Sequence, residues 1–427
     1  MYEKLRYNDL IIKYLLLSLP VLLISGPLLP EIATGIIFFL IIHKIIKKEI
    51  NYFNKAFIYG FLSFYFFIVV GSLLSDYVLL SVTKTGFYIR FLTLTLSFYY
   101  ILNNSNNFLI LLKNILLIIF FILIFDGYYQ YFFYENIIGL SNENKLRISS
   151  FFGKELIYGS FLSKFLPILI GLLIFFHKDN IDKVLTYLII CLSIIAIYIS
   201  GERASFILTL VSLIIIMMST NFFYKSKFYI FLLIILSLSI ITSSNQELRN
   251  KWQSTISNSI FNFSNKIVLE DKKYFLILDK KYTYMGLSAI KMFNDKPILG
   301  HGVKSFRFNC KKEPYKIDEF DNYNFRLNCG NHPHNTYIQL IAETGIVGFG
   351  FIIFFFIFIL FSLLKSFFSN QKKKKPNAFD LRICILSCIF INLFPFTTTG
   401  SFFNNWLSIL YFFPIGFLFY LNKTYKF

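Results

Sequence analysis

Long apolar runs recur along the chain, separated by short polar segments and by two longer ones. About 20 apolar residues in a helix suffice to cross a hydrocarbon core of roughly 30 Å. The pattern predicts an all-α polytopic membrane protein with about 12 transmembrane helices and a large loop subdomain before the tenth. The predicted spans are 9–26, 32–46, 56–75, 78–101, 108–128, 156–177, 183–200, 203–219, 227–243, 346–366, 380–396 and 405–421.

The two longer polar connections, 129–155 and 244–334, fall on the same side of the predicted bundle. The second is long enough to fold as a small cap. Within it, helical spacing of apolar residues predicts a helix over 281–294, which the following Asp295-Lys296-Pro297 ends. We therefore divide the chain into helices one to nine (1–243), a cap loop that includes a histidine motif (244–345), and helices ten to twelve (346–427).

A polar block at 331–335, which contains His332 and His334, stands directly ahead of the tenth apolar run. Pro333 suits a first helical turn, and Gly345 suits the position just past a helix end. Between them, an apolar and a polar face alternate at helical spacing. The apolar face is Tyr337, Leu340 and Ile341, and the polar face is Asn335, Gln339 and Glu343. We expect a short amphipathic helix at the membrane surface, with His334 at its N-terminal end.

Composition and charge agree with a membrane protein, since 56% of the 427 residues are hydrophobic and only 15% are charged. The formal net charge of +19 arises mostly in short loops on one side of the predicted bundle. This positive-inside distribution places both termini in the cytoplasm and both long connections outside. No compact basic domain carries a nucleic-acid-binding signature, so we expect membrane lipids, and no nucleic acid, as partners.

Arg203 stands in a very short outer turn, 199–205, between two predicted spans. One interpretation is an interfacial arginine neutralised by Glu202. The other is a cation that holds an anionic head group, which a guanidinium does well through paired hydrogen bonds. We favour the second, because the short turns on that side carry almost no other positive charge. Arg147, in the first long connection, is a candidate of the same kind.

Three further cations, Lys84, Arg90 and Lys164, lie inside predicted spans. Charged side chains at such depth line a cavity, pair with a partner, or extend their charged ends to the membrane surface. Asp126 is one available partner. The sequence leaves these alternatives open.

Histidine is the side chain suited to act as a base near neutral pH. For His301 and His332 we favour the interpretation of hydrogen-bonded loop residues. Together with His334 they offer three imidazoles, and three imidazoles could bind a metal ion. However, their spacing lacks the H-E-x-x-H pattern and no acidic partner stands at a diagnostic interval. We therefore expect no metal ion and no cofactor.

Cys310 and Cys329 are the two cysteines outside the predicted spans, and both fall in the second long connection. Because disulfides persist on the outer side of the membrane, we expect these two to be bonded, with Cα atoms within about 7 Å. The other three, Cys191, Cys384 and Cys388, fall inside spans, where free cysteine acts as a small packing residue.

The polar block and three other patches resemble motifs of the O-antigen ligase and O-antigen polymerase superfamily, membrane glycosyltransferases of the C type. Residues 332–345 resemble the family's histidine–asparagine–tyrosine signature with its later Glu and Gly, and 297–302 followed by Phe306 resembles its Pro–Gly–x–Gly turn. Residues 200–204 are similar to its arginine turn. Arg147 with 149–153 resembles a weaker arginine–glycine patch.

The resemblance implies transfer of a glycan from a polyprenyl (undecaprenyl) diphosphate carrier to an acceptor hydroxyl, with inversion and without metal or cofactor. It implies a multi-pass protein of a bacterial inner membrane with its active site on the periplasmic side. His334 would be the general base. Asn335, Glu343, His332 and His301 would support it, and Arg203, Arg147, Lys281 and Lys84 would bind the diphosphate. Lys281 stands near where the family typically has a second arginine, and a lysine lacks its bidentate fork.

Four functions, three of them within the family, remain open at this stage. Within the family, we favour ligation of O-antigen to lipid A–core, because a cap leading straight into a single histidine before Asn335 resembles ligases. Polymerisation of lipid-linked repeats and transfer to protein hydroxyls are alternatives. From a different class, a lipid or solute transporter would use the intramembrane lysines as a pathway. Transporters often show internal repeats with broken helices in matching positions, and we find no such pairing.

Overall fold

The computed structural model describes residues 6–50, 54–141, 147–256, 266–269, 272–275, 280–317, 329–369 and 371–427; for 254–256, 266–269, 272–275, 280–281 and 371–372 it describes the backbone alone. The helices in these ranges are α1 (Tyr7–Leu22), α2 (Leu28–Ile46), α3 (Lys55–Leu73), α4 (Val78–Thr85), α5 (Arg90–Asn104), α6 (Phe108–Phe133), a 3-10 helix (Ser150–Phe152), α7 (Tyr158–Phe175), α8 (Asn180–Ile199), α9 (Arg203–Ser219), α10 (Lys227–Ser244), α11 (Gln246–Ile256), α12 (Lys280–Asp295), α13 (Phe306–Asn309), α14 (Thr336–Phe367), α15 (Gln371–Lys374), α16 (Pro376–Asn392) and α17 (Asn405–Tyr425).

Eight helices in the described ranges are long and apolar enough to cross a membrane: α2, α3, α6, α7, α8, α10, α14 and α17. Several expose apolar faces that no other helix covers. On α10, for example, Phe228, Tyr229 and Leu233 are exposed, while Ile230 and Ile234 are buried. Such faces suit contact with lipid. The chain is therefore a multi-pass membrane protein.

The predicted total of about twelve spans is not confirmed and stays a prediction. Helices form at the remaining predicted spans, but they are short: α1 has 16 residues, α5 has 15, and α9 and α16 have 17 each. At 1.5 Å per residue, 17 residues extend about 26 Å, which is less than a roughly 30 Å hydrocarbon core.

The predicted span 78–101 is wrong as a single helix, because α4 ends at Thr85 and α5 begins at Arg90. Arg90 pairs structurally: its Nη2 donates to Asn405 Oδ1 at 2.6 Å and lies 3.4 Å from Glu31 Oε1. The short α4 instead supports a loop of the cap, since Ser81 Oγ donates to the carbonyl of Val303 at 2.9 Å.

The cap region contains one exception to the all-α prediction. Strands β1 (Lys266–Leu269) and β2 (Lys272–Phe275) pair antiparallel, with Lys266 opposite Phe275. Their β-branched and aromatic residues favour a strand pair. The predicted helix over 281–294 is confirmed as α12, and the predominantly helical class is confirmed as well.

Helices α7 and α16 lie at the centre of the molecule and are held together by polar contacts. Lys164 Nζ on α7 donates to Asn392 Oδ1 on α16 at 2.8 Å, and both residues are buried. Ser212 on α9 contacts Ser387 on α16 at 2.9 Å between hydroxyl oxygens. Lys164 therefore pairs with an amide, whereas Asp126 accepts from the backbone N–H of Ile137 at 2.9 Å.

Candidate active site

Asn335 begins α14 and fixes its N-terminus. Its Oδ1 accepts from the backbone N–H groups of Tyr337 and Ile338 at 3.0 and 3.1 Å, the pattern of an N-cap. Its Nδ2 donates to the carbonyls of Pro395 and Thr397 at 2.7 and 3.1 Å. One side chain therefore starts the helix and joins it to the loop after α16. The predicted place of Pro333 in the first turn is wrong, because the helix begins at Thr336.

The segment 395–401, named here the threonine loop, carries the histidine block. The backbone N–H of Thr399 donates to the carbonyl of His334 at 2.8 Å. The Thr399 hydroxyl contacts the Thr336 hydroxyl at 3.0 Å. His332 Nε2 lies 3.3 Å from the Thr399 carbonyl. Because a carbonyl only accepts, Nε2 of His332 carries the hydrogen and Nδ1 is the ring atom left to accept.

His332 and His334 form a close pair, with ring centroids 4.2 Å apart. Tyr282 on α12 covers His334 at 5.1 Å between ring centroids. Burial, with the neighbouring His334, lowers the pKa of His332 to about 4, so this imidazole is neutral at pH 7. His334 itself has φ of +55°, a left-handed conformation that side chains other than Gly rarely adopt. Such strain is typical of functional sites.

The polar face of α14 is buried, which corrects the prediction of an amphipathic helix at the membrane surface. Gln339 and Glu343 are both 0% exposed. Gln339 Nε2 donates to Glu343 Oε2 and to Ser401 Oγ, both at 2.9 Å, and its Oε1 accepts from the N–H of Phe402 at 2.8 Å. The polar side chains at i and i+4 therefore face protein groups and not water: Gln339 contacts the threonine loop, and Glu343 contacts Gln339 and α13.

Gly345 interrupts α14 with φ of +62°, which separates the segment after Asn335 from the long apolar segment that follows. The turn 297–302 packs into this kink: the N–H of Gly302 donates to the carbonyl of Glu343 at 2.9 Å, and that of Ile346 donates to the carbonyl of Pro297 at 2.8 Å. A Cβ on Gly345 would lie 2.3 Å from the carbonyl oxygen of Ile298. The glycine-rich turn and the histidine helix are therefore one interlocked unit.

His301 has a structural position within that unit. It is 1% exposed, and its Nε2 lies 2.9 Å from the carbonyl of Met292 and 3.6 Å from Asp295 Oδ2. Burial lowers its pKa. Across the described ranges, no group of three His, Cys, Asp or Glu side chains is arranged to hold a metal ion.

Cys310, at the end of α13, and Cys329 are disulfide-bonded, with Cα atoms 5.4 Å apart. The N–H of Phe306 at the other end of α13 donates to Glu343 Oε1 at 3.3 Å. The bridge therefore ties α13 to the residues that lead into the histidine block.

Glu202, which the sequence offered as a neutralising partner of Arg203, caps α7. Its carboxylate accepts from the N–H groups of Gly159 and Ser160 at 2.6 and 2.9 Å, and from the hydroxyl of Ser205 at 3.1 Å. Burial raises the pKa of this carboxyl to about 7, against the effect of these hydrogen bonds and of Arg147. The adjacent Arg203 side chain is exposed at the first position of α9.

The structure brings Arg203 and Arg147 together around Lys251, and these three residues are named here the arginine cluster. Trp252 stacks on Tyr198 at 4.7 Å, which places α11 over the arginine turn. Burial, and then Arg147 and Arg203, lower the pKa of Lys251 to about 8. Arg203 and Arg147, both predicted from the sequence to bind the diphosphate, therefore lie near Lys251, which the sequence analysis did not single out.

The other two predicted diphosphate ligands are not placed in this cluster by any described contact. Lys84 lies exposed on the last turn of α4, within coulombic reach of Lys304. The side chain of Lys281 lies outside the described residues. Their predicted roles stay predictions.

The histidine block and the arginine cluster lie at the same end of the helix bundle. Glu202 binds the first turn of α7, and Lys164, about 6–8 Å further along that helix, binds the last residue of α16. Directly after α16, the threonine loop holds the histidine block. Glu202 is also close enough to Lys164 for a coulombic interaction. The histidine block and the arginine cluster are therefore connected through α7, α16 and the threonine loop.

Sequence reasoning missed the threonine loop, Lys251, Lys304 and Arg307. A signal for the first was present, because Thr397-Thr398-Thr399-Gly400-Ser401 is a polar run between two apolar ones on the same side as the histidines. The three cations stood among other basic residues of a long connection, and no local pattern separated them from solvent-exposed charges.

No curated protein matches this chain. Residues 188–355 match the family model described as O-antigen ligase. The matched segment runs from α8 to α14 and includes Arg203, Lys251, the turn 297–302 and His334. It therefore confirms the resemblance stated from the motifs. The segment 188–355 is therefore similar to the O-antigen ligase family, which supports the resemblance to the O-antigen ligase and O-antigen polymerase superfamily of membrane glycosyltransferases.

Proposed function

We propose that this protein transfers a glycan from a polyprenyl diphosphate carrier to an acceptor hydroxyl at the periplasmic face of a bacterial inner membrane, and that the acceptor is lipid A–core. The observation that carries the proposal is the histidine pair, which the threonine loop holds at the same bundle end as the arginine cluster. A base and a group of cations are the two parts that displacement of a diphosphate requires.

His334 is the general base in this proposal. Its ring is beside a neutral His332, and a second positive charge at 4.2 Å would be repelled, so the pair is suited to accept one proton. The acceptor hydroxyl gives this proton to His334 as its oxygen attacks the anomeric carbon. His332 is a positioning residue, since its Nε2–H is bound to Thr399.

Arg203 and Arg147 bind the leaving diphosphate, and Lys251 adds a third positive charge. The carbon–oxygen bond to the carrier breaks as the new glycosidic bond forms, and the electron pair leaves on the diphosphate. Cations placed there beforehand stabilise the charge that develops. Attack opposite to the leaving group inverts the anomeric configuration.

The test at the level of the cell is to profile lipopolysaccharide and carrier-linked glycan in a deletion strain. We expect loss of glycan on the core with long chains retained on the carrier, and restoration by the wild-type chain. Core capped by single repeats would instead indicate the polymerase, and unchanged glycans of both kinds would contradict the proposal.

The test of the mechanism is His334→Ala, compared with His332→Ala and His301→Ala at matched membrane levels. Loss of a general base lowers the rate by about 10²–10⁴-fold, so we expect transfer by His334→Ala to be nearly abolished although the protein still accumulates. The other two variants should retain more activity. Wild-type transfer by His334→Ala would rule out this mechanism.

A further inference from the structure

A second group of cations lies beside the histidine pair. Lys304 lies two residues after the turn 297–302, Arg307 lies on α13, and Lys84 lies on the last turn of α4. Lys304 is close enough to both other cations to interact with them electrostatically. His332 is close enough to Lys304 and Arg307 for the same kind of interaction. These three residues are named here the Lys304 cluster. It shares no residue with the arginine cluster.

A hydrogen bond fixes Lys304, the central residue of this cluster, relative to the histidines. Lys304 Nζ donates to Ser401 Oγ at 3.0 Å, and His332 Nε2 donates to the carbonyl of Thr399, two residues earlier on the same threonine loop. On the opposite side, Ser75 Oγ donates to the carbonyl of His301 at 2.6 Å. The backbone at Lys304 is held with φ of +63°. The ammonium is therefore positioned by the fold and is not a freely moving surface charge.

The cluster gathers more positive than negative charge. Glu343 is the carboxylate within coulombic reach of Lys304 in the described part of the chain, and its two oxygens already accept from Phe306 N–H and Gln339 Nε2. Like charges held close together repel each other, and a bound anion relieves that repulsion. A fixed Lys304 ammonium with two further cations near it, and with its neighbouring carboxylate already engaged, suits an anionic ligand.

The position of the cluster indicates which substrate carries the anion. In an inverting displacement, the nucleophile and the leaving group stand on opposite sides of the anomeric carbon. The arginine cluster serves the leaving diphosphate in the proposed function, whereas the Lys304 cluster adjoins the base, which must contact the acceptor. Cations beside the base therefore face the acceptor.

We propose that Lys304 and Arg307, with Lys84, bind a phosphate-type anion of the acceptor substrate. This inference rests on the proposed function. The anion is either a phosphate ester on an acceptor glycolipid or the diphosphate of a second lipid-linked glycan, and both present the same oxygens to the cluster. Lys84 then serves the acceptor and not, as the sequence suggested, the donor.

The experiment is a transfer assay with the full chain in proteoliposomes, with the lipid-linked donor and the acceptor titrated separately. Three acceptors are used: a phosphorylated core glycolipid, the same glycolipid after phosphatase treatment, and a second lipid-linked glycan. Lys304→Gln and Arg307→Gln are compared with Lys311→Gln, which removes an exposed charge from the same segment. Arg203→Lys is the contrasting variant on the donor side.

We expect each Gln variant to raise the apparent KM for a phosphate-bearing acceptor about tenfold, since a charge-assisted hydrogen bond is lost. The donor KM should not change, and the dephosphorylated acceptor should not distinguish variants from wild type. Arg203→Lys should instead raise the donor KM or lower kcat. Which of the two phosphate-bearing acceptors shows the effect identifies the source of the anion.

Two results would overturn the inference alone: Gln variants that match Lys311→Gln, or equal effects with phosphorylated and dephosphorylated acceptors. A wild-type chain that transfers no glycan would instead overturn the proposed function. If Lys304→Gln fails to accumulate because the bond to Ser401 is lost, Arg307→Gln with Arg307→Lys as its charge-retaining partner carries the same comparison.

Discussion

Glu202 is a buried carboxylate with two tasks, capping α7 and lying beside Arg147. Burial raises its pKa from 4.5 to about 7, so the folded protein holds this proton more tightly than the unfolded chain does. At 1.36 kcal/mol per unit, the difference corresponds to about 3 kcal/mol. The contribution to stability is full below about pH 4.5 and is lost as the pH rises to about 7.

Glu202→Gln should therefore remove one part of the pH dependence of stability. We expect the melting temperature of the wild-type protein in detergent to fall, relative to the variant, between about pH 4.5 and about pH 7. Glu155→Gln, at an exposed carboxyl near the start of α7, is the matched control. A wild-type curve that runs parallel to that of Glu202→Gln across this range would show that the carboxyl does not titrate there.

At the scale of elements, the kink in α14 depends on Gly345. An alanine there would have to keep φ of +62°, which costs a residue with a Cβ about 1–2 kcal/mol, and would overlap the carbonyl oxygens of Ile298 and Pro297 at 2.3 and 2.6 Å. We expect Gly345→Ala to lower the melting temperature and the amount of protein in the membrane. Gly350→Ala, in the same helix with no atom near the added Cβ, should be neutral or slightly stabilising.

The sequence predicted elements well where hydrophobic periodicity decides them. In the described ranges, the eight helices that are long and apolar enough to cross a membrane follow from apolar patterning, as does α12, and the place of Gly345 follows from its conformational freedom. The break between α4 and α5 was missed, because the apolar run continues through it. The buried polar face of α14 was also missed: Gln339 and Glu343 look like surface residues until the threonine loop is seen to contact Gln339 and α13 to contact Glu343.

In the candidate site as well, the sequence predicted residues with a distinctive local pattern and missed those whose surroundings come from long-range contacts. His334, Asn335 and Arg203 stand out in sequence because each occupies an unusual local position. Lys251 and Lys304 do not stand out, since their surroundings come from residues far away in the chain, such as Trp252 on Tyr198 and Lys304 on Ser401. Long-range contacts of this kind leave no periodic signal.

At the scale of the whole molecule, the end of the bundle opposite the site also carries basic residues, next to the last turns of its helices. The end opposite the site joins the last turns of α14 and α17, where Arg382 donates to Ser366 Oγ at 2.8 Å and to Asn422 Oδ1 at 2.7 Å. Lys365 and Lys423 lie in the last turns of the same two helices. A disulfide at the site end, and basic residues beside the helix ends on the opposite side, suit a protein whose site faces the periplasm.

This orientation can be tested with single lysine-to-cysteine substitutions at exposed positions on the two ends. Lys154→Cys lies near the start of α7 at the site end, and Lys374→Cys lies on α15 at the basic end. In spheroplasts, a membrane-impermeant maleimide should label Lys154→Cys directly and Lys374→Cys only after lysis, because the membrane separates the two ends. The unsubstituted chain sets the background, since Cys310 and Cys329 are bonded and Cys384 and Cys388 are buried. The reverse labelling pattern would place the histidine pair in the cytoplasm, away from any periplasmic acceptor.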